Sequence, residues 1–355
     1  MKRLDAKRVV ALFGLAVLLA VSGRAQQPTP SEAPPAAGAP GPPASQNPEP
    51  PSVPAGQALR VTTGYVKLVV TVLDHHRNFI TDLDKTDFKV LEDGQPQTIR
   101  FFAGQTDLPL RIAVLLDTSN SIRPRLQFEK DAAIDFLGKV IRRDKDLAFL
   151  MTFDNEPQFI QDYTDNFALL QNAIQEQRAG GGTALNDAIY MASEKLAHSP
   201  VPKGEDSDVR RVIVVFTDGD DNSSVRAFSD AIDASIRSEA AIYGISTNTD
   251  WLAIDNPDKP SKYHMETKDK VLQQLSDQTG GHAFFPYGVD DLAQSFDQIG
   301  TELRSQYFIA YAPAIPPSDG RYRRVDVQTS RKGLVVRTRK GYYAVAQPSG
   351  ASPAR

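Results

Sequence analysis

Apolar and polar positions change period three times along this chain, and each change marks a new kind of structure. From Leu59 the pattern alternates every second residue. Val66, Leu68, Val70 and Val72 face one way, with Lys67 and Thr71 among the residues between them; that is the signature of a strand with one buried face. Residues Asp74 to Asn78 form a polar turn. Phe88, Val90 and Gln95-Pro96 flank Glu92-Asp93-Gly94, a hairpin signal, and Ile99 and Phe101 begin another strand.

From residue 110 to about 304 the spacing switches to alternating strands and helices. Strands are predicted over 111–116, 147–153, 211–217, 241–246 and 282–285. Helices are predicted over 124–142, 166–177, 184–197, 228–239, 267–279 and 289–304. Buried parallel strands read as unbroken apolar runs, as Val212 to Phe216 does. This order predicts an α/β fold with a doubly wound, mostly parallel sheet, and 156–163 fits an antiparallel edge strand.

Two-residue alternation returns after Leu303. Tyr307 to Tyr311 is followed by a Pro-rich turn, then by Asp319-Gly320, Val325, Val327, Leu334 to Val336 and Tyr342-Tyr343. Neither outer β segment has enough strands to bury a face well alone. The expectation is that 59–107 and 306–346 pack together into one β-sandwich, with residues 108–305 inserted between them. Two separate β appendages are the alternative.

Ahead of these segments, Lys2, Arg3, Lys7 and Arg8 precede an apolar run from Val9 to Val21, and Gly23-Arg24-Ala25 supplies small residues for cleavage. This is the layout of an export signal over 1–25, and the apolar run is short for a membrane span of ~20 residues. An uncleaved N-terminal anchor is the alternative. Residues 26–58 hold eleven of the 25 prolines without apolar periodicity, which predicts an extended spacer; 347–355 reads as a disordered tail. The expected location is periplasmic or secreted.

Composition narrows the chemistry. Cysteine is absent from all 355 residues, which removes disulfides, thiolate metal sites and thiol nucleophiles. Loss of residues 1–25 would take away five positive charges and one negative, moving the formal net charge from −4 to −8. An acidic mature chain argues against nucleic acid and anionic membrane surfaces as partners. The histidines His75, His76, His198, His264 and His282 show no metal-ligand spacing.

The candidate chemistry lies at the carboxyl ends of two predicted parallel strands, where open α/β sheets bind ligands. Asp117, Ser119 and Ser121 stand in Leu115-Leu116-Asp117-Thr118-Ser119-Asn120-Ser121. Thr183 follows Gly180, Gly181 and Gly182, and Asp218 lies in Thr217-Asp218-Gly219. Alternation directs Asp117, Ser119 and Ser121 together and turns Thr118 and Asn120 elsewhere. Arg123-Pro124 is read as the start of the next helix, and Thr183 as a residue whose hydroxyl also suits a helix cap. All five are hard oxygen donors, which suits Mg²⁺, with Mn²⁺ or Ca²⁺ as alternatives. Two carboxylates and three hydroxyls leave a divalent ion electrophilic, open to a carboxylate from another molecule.

The order Asp-x-Ser-x-Ser, a distant Thr and a distant Asp-Gly resembles the metal-ion-dependent adhesion site of von Willebrand factor type A domains, over roughly residues 108–305. The flanking phrases Asp87 to Gly94 and Arg339-Lys340-Gly341-Tyr342-Tyr343 are similar to those of the bacterial, acidobacterial-type VWFA-related group. The resemblance implies a Rossmann-like domain and a metal role for Asp117, Ser119, Ser121, Thr183 and Asp218. It also implies a non-enzymatic adhesion-type module whose ion bridges to an Asp or Glu of a protein partner, and a last helix able to slide when ligand binds. Ile122, Arg123 and Pro124 occupy the places where integrin-type members carry acidic residues, which argues against a second ion.

Asp220 and Asp221 read as a solvated rim beside Asp218, without EF-hand spacing. Trp251, in the polar stretch 248–266, reads either as a binding anchor or as a lid on the local core. The rival class is a Mg²⁺-dependent hydrolase of the haloacid dehalogenase type. That chemistry requires an Asp where Ser119 stands and a Lys near Asp218, and neither is found in the sequence around those positions. A third class is an envelope scaffold with a purely structural ion. No small-molecule substrate is expected.

Overall fold

The computed structural model of the chain describes residues 64–104, 108–202, 208–247, 267–286, 289–315 and 318–344. The predicted leader, spacer, Trp251 stretch and C-terminal tail lie outside the described residues. Among the described residues no helix is long and apolar enough to cross a membrane.

The central sheet has six strands: β5 (Leu110–Asp117), β6 (Leu147–Phe153), β7 (Pro157–Thr164), β8 (Arg210–Thr217), β9 (Ala241–Ser246) and β10 (His282–Phe284). Their order is β10-β9-β8-β5-β6-β7. β5 pairs in parallel with β6 and β8, and the edge strand β7 pairs antiparallel with β6, as 156–163 predicted. Every residue of β5 is buried, because successive side chains enter opposite layers. Ile112, Val114 and Leu116 pack toward helices α1 (Leu126–Val140), α2 (Phe167–Gln175) and α6 (Val289–Glu302), meeting Phe136, Ile174, Phe296 and Ile299. Ala113 and Leu115 pack toward α3 (Leu185–Ala197), α4 (Phe228–Arg237) and α5 (Thr267–Thr279), meeting Leu185, Ile189, Leu272 and Leu275. Full burial of each large aliphatic or aromatic side chain contributes about 1.5–3 kcal/mol, so this strand anchors both layers.

The outer segments supply the remaining strands: β1 (Val66–Leu73), β2 (Phe88–Glu92), β3 (Gln95–Gln97) and β4 (Ile99–Ala103) before the central sheet, and β11 (Tyr307–Tyr311), β12 (Tyr322–Thr329), β13 (Val335–Arg337) and β14 (Gly341–Tyr343) after it. They form two four-stranded sheets, β13-β1-β11-β4 and β14-β12-β2-β3. Val66↔Tyr311 and Val90↔Val327 are antiparallel pairs between the two ends of the chain. The Asp93-Gly94 hairpin forms, with φ of 47° and 80° at its two turn residues, the left-handed values a two-residue turn needs. The sandwich core gathers Leu68, Val70, Phe88, Val90, Tyr307, Ile309, Val325 and Tyr342 from both segments. Neither segment builds this core alone.

Thr71 departs from simple alternation. It lies on the face of β1 opposite Val70 and Val72, yet it is buried. Its hydroxyl donates to Glu302 Oε1 at 2.8 Å, so the second face of β1 is covered by the end of α6.

Candidate functional site

Asp117 ends β5 and is fully buried, with both carboxylate oxygens engaged. Oδ1 accepts from the Ser119 backbone N–H at 2.9 Å, and Oδ2 accepts from Thr217 Oγ1 at 2.6 Å. Ser119 Oγ and Ser121 Oγ lie 2.9 Å apart and share a hydrogen bond. The intervening side chains point away, as alternation predicts. Thr118 Oγ1 donates to the Phe153 carbonyl, and Asn120 Oδ1 accepts from Arg123. Asp117, Ser119 and Ser121 therefore belong to one turn.

That turn does not run straight into a helix at Pro124. A 3-10 turn over Asn120–Ile122 intervenes, and α1 begins at Leu126 after Arg125. The backbone bonds Arg123 N–H to Asn120 O and Arg125 N–H to Ile122 O tighten the chain there. Pro124 has no N–H to contribute and fits a turn that leaves that position unbonded.

Two further loops are tied to this turn through backbone bonds. Gly180 N–H donates to Thr118 O at 2.7 Å, and Asn120 N–H donates to Gly181 O at 3.1 Å. Thr183 N–H donates to Asn222 Oδ1 at 2.9 Å, while the Asn222 and Ser223 N–H groups donate to Thr183 O at 3.0 Å. Glycine suits this closure: Gly181 has φ +81°, and a Cβ on Gly182 would crowd the Ser223 and Asn222 side chains. The Asp117 turn, the Thr183 loop and the Asp218 loop thus form a closed triangle, with Thr183 and Asp218 buried within it.

Three expectations about this region need correction. Thr183 does not cap α3: the cap position is Ala184, which makes no side-chain cap bond. Its place is taken by Asp221, whose Oδ2 accepts from Asn186 N–H at 2.8 Å, and by Ser224 Oγ, which accepts from Asp187 N–H. Asp221 is therefore a capping residue supplied from the β8 loop, because a carboxylate best satisfies the unpaired amides of a helix start, and it is more than a solvated rim. Lys268, remote in sequence, reaches the site from the start of α5. It lies 3.8 Å from Asp218 Oδ2 and bonds to Asp220 Oδ2. A lysine does stand near Asp218, and its main partner is Asp220 on the rim.

The electrostatics are set by burial. Removal from water pushes the Asp117 carboxyl up to about 6, opposed by its bonds from Thr217 and Ser119. Glu129, on the first turns of α1, was not singled out from the sequence. It is fully buried, and burial together with the neighbouring Asp117 carboxylate drives its pKa well above the ordinary value. The sequence does carry a signal for it: Glu129 occupies a position whose helical neighbours Ala132, Ala133 and Phe136 all face the core. Thr217 and Asn222 were likewise missed as supports of Asp117 and Thr183.

Among the described residues no group of three or more His, Cys, Asp or Glu gathers in metal-holding geometry. The candidate set contains only two carboxylates; its other donors are hydroxyls. Such a set can offer hard oxygen ligands to a divalent cation and has no soft donor.

Residues 112–220 match the family model of the von Willebrand factor type A domain. No curated protein shows significant similarity to the chain. Similar solved structures include von Willebrand factor type A from Catenulispora acidiphila, at 13% identity over 80% of this chain and 74% of that one, TM-score 0.43. An aerotolerance-related membrane protein from Bacteroides fragilis is 19% identical over 55% of this chain and 98% of its own, TM-score 0.42. BatB from Bacteroides thetaiotaomicron is 15% identical over 55% of this chain and 100% of its own, TM-score 0.40. The family match over residues 112–220 runs from β5 to the loop after β8, within the six-stranded, doubly wound sheet, and assigns that stretch to the von Willebrand factor type A domain.

Proposed function

We propose that this chain is an exported, non-catalytic protein-binding module that acts through a divalent cation. Asp117, Ser119, Ser121, Thr183 and Asp218 would hold the ion, Mg²⁺ being the preferred one, and the ion's outward position would take an Asp or Glu of a protein partner. The observation that supports this reading is the closed triangle of loops, which ties the Asp117 turn, the Thr183 loop and the Asp218 loop to one another at the carboxyl ends of β5 and β8. The buried Asp117 carboxyl fits a cation: burial penalises its charge, and a bound divalent ion would relieve that penalty. Von Willebrand factor type A domains are in general protein-interaction modules, which agrees with this role. The predicted export signal over 1–25 supports a periplasmic or secreted location.

The test uses an array of short peptides containing Asp or Glu, probed with the full chain in Mg²⁺ and in EDTA. The reading expects carboxylate-dependent binding in Mg²⁺, lost in EDTA and in Asp117→Ala. Equal binding in EDTA rejects the ion-bridge mechanism.

Lys268 beside Asp218 gives the hydrolase reading one of the two groups it needs. The other, an acid/base carboxylate two residues after Asp117, is still replaced by Ser119. Turnover of p-nitrophenyl phosphate by the purified chain, abolished by both Asp117→Asn and Lys268→Ala, would transfer the site to that class.

A further inference from the structure

Glu129 has a position that ordinary packing does not explain. It points from α1 into the interior and is completely buried, and neither carboxylate oxygen has a hydrogen-bond partner. A buried polar group without partners costs about 1–3 kcal/mol, and an ionised one costs more. Natural interiors rarely keep such a group without a reason. The charged groups that act on it are Asp117 and Asp218, which repel its charge, and Arg125, which favours it. Arg125 does not neutralise it by pairing, since its guanidinium donates to the Thr247 carbonyl. The Thr247 hydroxyl favours the charged form of Glu129, yet it too is buried and makes no hydrogen bond of ordinary length. Thr247 is fixed beside β8 by its N–H bond to Thr217 O, and Thr217 is the residue that holds Asp117. The unpaired carboxyl therefore lies in the interior, near enough to Asp117 and Asp218 for their charges to act on it.

Such a buried, unpartnered carboxyl costs stability in the cation-free protein, where burial disfavours its charged form, so its presence points to a state in which a positive charge occupies the site. We propose that Glu129 is a buried counter-charge for the divalent cation: a positioning residue behind the ligands that raises the site's affinity for the ion without coordinating it. This rests on the cation reading of Asp117, Ser119, Ser121, Thr183 and Asp218. Coulomb attraction acts over several ångströms in a poorly screened interior, so direct ligation is unnecessary.

The test is isothermal titration of the full chain with Mn²⁺, comparing wild type, Glu129→Gln, Glu129→Leu and Asp117→Ala, together with melting temperatures in EDTA. The proposal expects the two Glu129 variants to bind Mn²⁺ at least about tenfold more weakly, while Glu129→Leu melts higher than wild type without metal. Opposite movement of cation affinity and metal-free stability is something a purely structural residue would not produce. If both Glu129 variants keep wild-type affinity while Asp117→Ala loses it, the counter-charge is wrong and the cation site stands. If wild type itself takes up no Mn²⁺, both fall. The isosteric Glu129→Gln keeps the comparison open should Glu129→Leu fail to fold.

Discussion

Arg337 Nη2 donates to Glu302 Oε2 at 2.7 Å, joining strand β13 of the sandwich to the last residue of helix α6. Glu302 Oε1 accepts in addition from Thr71 Oγ1 at 2.8 Å, Tyr243 OH at 3.1 Å and Gln306 Nε2 at 3.2 Å. One buried carboxylate thus connects β1, β9, β13 and α6. Breaking a buried ion pair by removing one partner leaves the other charge uncompensated, at a cost of about 3–5 kcal/mol. Glu302→Ala should lose stability of that order in urea unfolding. A loss below about 1 kcal/mol would show that the network contributes little. The same variant tests whether the sandwich restrains α6: hydrogen exchange over 289–302 should accelerate in it.

Asp117 predicts an inverted acid response in the metal-free protein. Its ordinary pKa is 3.8, and burial raises it to about 6 in the fold. Between those values the native state holds more protons than the unfolded chain, so stability falls as pH rises from about 4 to 6. The full penalty, of order 3 kcal/mol, is present above pH 6. Melting temperatures in EDTA from pH 4 to pH 7 should therefore decline more steeply for wild type than for Asp117→Asn. Parallel curves would remove Asp117 as the cause.

His282 acts in the opposite direction. Burial, with repulsion from Arg337 and Arg77, holds its imidazole down at about 3. The unfolded chain takes up this proton below about 6.5 while the native state stays neutral, so the contribution is fully present above pH 6.5 and is lost as pH falls toward 3. His282→Gln should flatten the acid limb between pH 6.5 and 4. An unchanged acid limb contradicts this assignment.

Much of this architecture is legible in the sequence because it follows from apolar period. The unbroken run Val212 to Phe216 becomes β8, and Leu292, Phe296, Ile299 and Leu303 become the buried stripe at the end of the domain. The sandwich is legible by insufficiency, since neither β segment can cover its own face. What escapes is what depends on contacts between distant residues. Asp221 looks like one more acid after Asp218, and only the folded loop places it over the amides of α3. Lys268 follows Asp218 by fifty residues and arrives at its side because α5 begins there. The start of α1 was misplaced because Pro124 suits a first helical turn equally well as the tight turn it occupies. The five candidate ligands are singled out by residue type and order; their neighbours Thr217, Asn222 and Glu129 emerge only from the packed loops.

Asn222 offers a test of those supports. Its side chain accepts from Thr183 N–H, and its own N–H fixes the Thr183 carbonyl. Asn222→Ala removes the first bond and keeps the second, at a global cost of about 1 kcal/mol. The Thr183 loop should loosen, and Mn²⁺ affinity should fall several-fold while the urea midpoint shifts by no more than a loss of about 1 kcal/mol accounts for. Unchanged affinity would show that Thr183 is positioned by its backbone bonds alone.

The central claim is that the loops bearing Asp117, Thr183 and Asp218 hold one hard cation per chain. Electron paramagnetic resonance of Mn²⁺ added to the full chain at neutral pH counts the free ion directly. The account predicts that the free-ion signal is suppressed until one equivalent has been added, and that Asp117→Ala abolishes this uptake while Mg²⁺ competes for it. A signal that rises from the first addition, in wild type as in Asp117→Ala, would contradict it.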